Sequence, residues 1–101
     1  ADGRMEVLAA NALRAGADGD TARAVLACNT TDEALDILRE KQLLGPAMKE
    51  IMKRIQFYLD HRSYEQIQLG AVVFSNVYGY LGQTQDAAEL ICKIQEQSDN
   101  I

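Results

Sequence analysis

Residues 66–85 carry no charge, and most of them repeat apolar side chains at helical spacing. Tyr64, Ile67, Ala71, Phe74, Tyr78 and Leu81 alternate steps of three and four, while Leu69, Val72, Val73 and Tyr80 make the other faces apolar too. A helix that is hydrophobic nearly all round has to be surrounded by other elements. Four glutamines, three glycines, a serine and an asparagine inside the stretch make it a poor membrane span. Residues 64–81 therefore read as a central core helix, the fifth of six, or as half of a partner groove. Gly70 and Gly79 within it each cost about 1 kcal/mol relative to alanine, so each is expected to mark a close helix approach or a bend.

One proline in 101 residues and apolar periodicity throughout predict an all-α chain, a compact bundle or HEAT-like stack of about six antiparallel helices. The first covers residues 3–15, with Met5, Leu8, Ala9 and Ala12 inward, and stops at Gly16. The second covers 20–28. Thr30 and Glu33 form a capping box that starts the third, with Leu35 and Leu38 inward. Gly45-Pro46 leads into the fourth, which ends near Asp60, since proline suits a first helical position. Met48, Ile51, Met52, Ile55, Tyr58 and Leu59 form its apolar face, with Lys49, Lys53, Gln56 and Asp60 opposite. Ser63 and Gln66 supply a second capping box, Gly82 ends the fifth helix, and residues 84–97 form the sixth. Residues 31–38 echo 84–91, which reads as two well-capped helix starts or, more sharply, as a helical repeat. A single domain over residues 1–101 is expected, with 1–3 and 98–101 frayed.

A net charge of −5 and a pI of about 4.7 argue against whole-molecule attraction to nucleic acid or an anionic membrane. Two separated cysteines, Cys28 and Cys92, point to a reducing, cytoplasmic setting, and neither a leader nor a membrane span is expected. One histidine, His61, with two scattered cysteines does not make a zinc set, and no glycine-rich phosphate loop occurs, so neither metal nor cofactor is expected. A chain of this size is too small for a deep cleft between two lobes, which favours a non-enzymatic protein-binding module. A small enzyme pairing Cys28 or Cys92 with His61 is the minor alternative.

Charge is segregated along the chain. Residues 39–62 hold six of the ten cations against three acids, a local +3, while each flank carries −4. Lys49, Lys53, Arg54 and Arg62 thus form a basic ridge, and Phe57 and Tyr64 beside it are candidate anchors for a protein partner with an acidic surface or tail. The alternative interface is the row Ile67, Ala71, Phe74, Tyr78 and Leu81, which would pair two copies in a homodimer.

Met48-Lys49-Glu50-Ile51-Met52-Lys53-Arg54-Ile55, then Leu59, then Ser63-Tyr64-Glu65-Gln66-Ile67, resembles the C-terminal helical domain of the non-catalytic subunit of katanin, the microtubule-severing complex. The run from Asp32 to Leu38 would match that family's preceding helix. The chain is shorter than the family domain, lacks propeller repeats and ends on an acidic helix. The resemblance implies a helical cytoskeletal scaffold that docks the severing ATPase, with Lys49, Lys53 and Arg54 meeting acidic tubulin tails.

Overall fold

A computed structural model of the chain describes residues 3–61 and 64–99. The described residues form six helices and no strand: α1 (Arg4–Arg14), α2 (Gly19–Leu26), α3 (Thr31–Glu40), α4 (Leu44–Asp60), α5 (Tyr64–Tyr80) and α6 (Thr84–Asp99). The all-α expectation holds. The capping box expected at residues 63–66 lies outside the described residues in part, as does the fraying expected at 1–2 and 100–101. Residues 98 and 99 fall within the bounds of α6, and Gly3 is the N-cap residue of α1.

Side-chain caps set the starts. Thr30 Oγ1 accepts from the Glu33 amide at 3.2 Å, as its capping box requires. The second helix begins before residue 20, because Asp18 caps it: the carboxylate accepts the Thr21 N–H at 2.8 Å. That backbone hydrogen bond, with a second from the Thr21 side chain, holds the Asp18 carboxyl below its usual range. α4 likewise starts two residues before Pro46. The proline is still in the first turn, where amides have no intrahelical acceptor, and the ladder opens with Ala47 N–H donating to the Leu43 carbonyl at 2.8 Å.

Three helices close in the same way. At the ends of α1, α3 and α5 the second residue past the helix is left-handed (Gly16, Gln42 and Gly82, φ 105°, 60° and 76°), and the following amide reaches back to a carbonyl of the last turn. Each spans five positions: Ala17 to Ala12 at 2.9 Å, Leu43 to Leu38 at 2.8 Å and Gln83 to Tyr78 at 2.7 Å. Glycine takes that conformation freely, whereas Gln42 does so against the clash of its β-carbon.

α5 packs on α1, α3, α4 and α6 and is central, as its uncharged sequence demands. α1 also meets α2, α3 and α4, so contacts close across the chain and the arrangement is a bundle, unlike a stack in which each repeat touches its neighbours alone. Leu8, Ala12, Val25, Leu35, Leu38, Ile51, Ile55, Val73 and Val77 form the buried centre. Met52, expected on the inner face of α4, is exposed, and the buried stripe runs Leu44, Ala47, Ile51, Ile55, Leu59. A β-carbon on Gly70 would fall 2.7 Å from Ile55 Cγ1, so that glycine does mark a close helix approach, while a β-carbon on Gly79 would point into open space.

Polar contacts tie the outer helices to α5. The Tyr80 hydroxyl donates to Asp36 of α3, and the Arg39 guanidinium lies 5.4 Å from the Tyr80 ring centroid. The hydrogen bond to Asp36 pushes the Tyr80 phenol above its ordinary value. Arg4 Nη1 donates to Asn76 Oδ1 at 3.3 Å, joining α1 to α5. Among the described residues no helix is long and apolar enough to cross a membrane.

Candidate functional site

A cleft of about 260 Å³ opens between α1, α4 and α5. α4 contributes Ile51, Arg54, Ile55 and Tyr58, one helical face at i, i+3, i+4 and i+7. α1 contributes Glu6, Val7, Ala10, Asn11 and Arg14, with its cap Gly3, and Leu69 and Gly70 of α5 close the floor. The cleft exists because the small side of α5 at Gly70 lets Ile55 sink inward, drawing the α4 face down beneath α1.

Its polar groups are organised. Asn11 is 3% exposed, an unusual place for an amide between Leu8 and Ala12 on the packed side of α1. Its Nδ2 donates to the Val7 carbonyl at 2.8 Å, and its Oδ1 accepts from Arg14 Nη1 at 3.2 Å. Burial is thereby compensated, and the Arg14 guanidinium is held at the rim. Arg54 is half-buried, and its Nε is buried without a hydrogen-bond partner among the described residues. The carboxylate that sequence spacing offers it, Glu50 one turn back, instead accepts from Lys53 Nζ at 3.1 Å.

The basic ridge is thus divided. Lys49 and Lys53 are exposed on the outer face of α4, while Arg54 turns into the cleft. Phe57 is 45% exposed, stacked on His61 at 4.0 Å between ring centroids and edge-on to Tyr58 at 5.7 Å. Arg62 lies outside the described residues; Tyr64 opens α5, its side chain likewise outside them. The row proposed for a second copy is covered by this chain's own helices: Ile67 and Phe74 are 2% and 4% exposed, and Ala71 and Tyr78 are half-buried against the core. Leu81 alone of that row is open, at 42%. Most of that row is thus spent on this chain's own core, leaving Leu81 as its open member.

For the thiol–imidazole alternative, the structure gives Cys28 and His61 partners other than each other. The Cys28 thiol donates to the Ala24 carbonyl at 3.2 Å, and burial, then the Glu33 charge, push it up, away from the thiolate a nucleophile requires. His61 Nδ1 lies 2.8 Å from the Phe57 carbonyl, its ring on Phe57. Cys92 is exposed on α6. No group of three or more metal-ligating side chains occurs among the described residues.

Sequence reasoning missed Glu6, Asn11 and Arg14. The signal available was Asn11, a polar residue set in the apolar stripe of α1 where an aliphatic residue would pack with less cost.

The model of the family described as CbiD, C-terminal domain, matches residues 1–85. Curated relatives include a cobalt-precorrin-5B C(1)-methyltransferase of Ruminiclostridium cellulolyticum, 31% identical over 98% of this chain and 27% of the relative. Proteins of that name from Alkaliphilus metalliredigens and Methanococcus maripaludis are 32% and 31% identical over 90% and 83% of the chain, and 24% and 23% of the relative. The chain spans about a quarter of the length of these relatives. No solved structure matches it. These matches overturn the katanin resemblance and the adaptor, scaffold, cytoskeletal and microtubule readings with it. The residues that carried the resemblance are a capped amphipathic helix followed by a core helix, a pattern that packing alone imposes. The non-enzymatic reading falls too, because the relatives are named as enzymes. Its premise, that so short a chain has no room for a catalytic cleft, does not apply to a chain matching one domain of a longer enzyme.

Proposed function

Since this chain belongs to the CbiD C-terminal-domain family, we propose that it is the C-terminal helical domain of an enzyme that methylates C1 of cobalt-precorrin-5B. The single observation that carries this reading is the family match across residues 1–85, which takes in α1 to α5 and therefore the whole α1–α4–α5 cleft. In this reading the reaction is methyl transfer to a carbon atom of a cobalt-precorrin, and the chain supplies one part of the enzyme that performs it. A cytoplasmic setting fits the free thiols of Cys28 and Cys92.

The test is a chimera in which this chain replaces the matching quarter of the Ruminiclostridium cellulolyticum relative. The expected outcome is C1-methylated cobalt-precorrin, detected by mass gain and carbon NMR. A chimera with native helical content and cooperative unfolding that makes no methylated product, beside an active parent, would refute the reading.

A further inference from the structure

We infer that the α1–α4–α5 cleft binds an organic monoanion, a carboxylate carried on an apolar body, through Arg54 and Arg14. The inference concerns the chain itself and stands whether or not the methyltransferase reading holds. Three observations converge on it.

Arg54 comes first. A guanidinium presents its N–H groups as a planar fork, and Arg54, which lines the cleft, has an Nε that is buried without a hydrogen-bond partner among the described residues. Buried donors are ordinarily satisfied, so an exception at a cavity wall marks a place where an acceptor belongs. The nearest acid in the helix is committed elsewhere, Glu50 to Lys53 at 3.1 Å.

Arg14 is the second. The chain from the Val7 carbonyl to Asn11 to Arg14, with bonds of 2.8 and 3.2 Å, places a second guanidinium on the same cleft from the opposite helix. Only one of its nitrogens is used there, which leaves donors for a ligand.

Charge and surface then choose the ligand class. Arg14 and Arg54 against Glu6 give the lining a formal +1, which a single carboxylate neutralises and a dianionic phosphate would overshoot. Val7, Ile51, Ile55 and Leu69 present a hydrocarbon floor that an inorganic anion would leave unused. About 260 Å³ suits a small aromatic or branched aliphatic acid, or one acidic side group of a larger molecule.

The experiment is an NMR titration of the 15N-labelled chain at low salt with 4-phenylbutyrate, its neutral amide 4-phenylbutyramide, and inorganic phosphate. Saturable shifts are expected from the carboxylate at the Arg54 Nε–H and the Gly70 amide, with the amide and phosphate binding at least about tenfold more weakly. Arg54→Gln should weaken the carboxylate by about tenfold while the circular-dichroism spectrum is kept. Equal binding of acid and amide, equal or tighter binding of phosphate, shifts confined to other helices, or an unaltered affinity in Arg54→Gln would each overturn the assignment. If Arg54→Gln does not fold, the three-probe comparison on the unaltered chain decides alone.

Discussion

Gly70 of α5 lies directly beneath Ile55 of α4: a β-carbon there would come within 2.7 Å of Ile55 Cγ1 and 3.1 Å of its Cδ1. That contact sets the spacing of the two helices and so the floor of the cleft. Gly70→Ala is expected to destabilise the fold by about 1 kcal/mol or more, since the overpacking cost of ~1–3 kcal/mol exceeds the helix-propensity gain. Gly79→Ala, in the same helix with open space around it, should stabilise by up to about 1 kcal/mol. Thermal unfolding followed by circular dichroism separates them, and a Gly70→Ala as stable as Gly79→Ala would sink the close-approach account.

Gln42 closes α3 in the left-handed conformation that glycine takes at the ends of α1 and α5. Left-handed backbone costs a residue with a β-carbon about 1–2 kcal/mol, part of which a glycine returns as added freedom of the unfolded chain. Gln42→Gly should therefore raise stability by about 0.5–1 kcal/mol, and Gln42→Val should lower it. Melting temperatures in the order Gly, Gln, Val are expected; the reverse order would mean that the closure is not left-handed.

Asp18 makes α2 sensitive to acid. Its folded carboxyl titrates below the ordinary 3.8 because the Thr21 amide bonds the charged form. A depressed folded value stabilises above the ordinary carboxylate range and is lost as pH falls through the lowered one. Asp18→Ala should melt earlier than the parent at pH 7, with the gap closing toward pH 2, while Asp18→Asn keeps a cap and should melt near the parent at pH 7. A gap of constant size across that range would show that the carboxylate charge plays no part.

The resemblance drawn on residues 48–67 shows how little of a helical chain's function its periodicity carries. Lys49, Lys53 and Arg54 look alike as a cationic run, yet two face solvent and the third faces a cleft. The division depends on where α1 crosses α4, and nothing local to α4 records that crossing. Glu50 illustrates the same point: either Lys53 or Arg54 is within helical reach, and it takes Lys53, while the Arg54 Nε has no hydrogen-bond partner among the described residues.

By itself the sequence determined the elements and their rank in the fold: six helices, capped at Thr30, closed at Gly16 and Gly82, with an uncharged fifth helix that had to be central. Those properties are local, set by backbone hydrogen bonds within a turn and by the period at which apolar side chains recur. Tertiary structure alone decided the cleft. Arg54 lies 40 or more positions from Asn11 and Arg14, on a different helix, and the three come to share one cavity because Gly70 lets α4 settle against α5 with α1 beside both. That convergence is a matter of which faces pack and how closely, and no repeat or motif within a single segment encodes it.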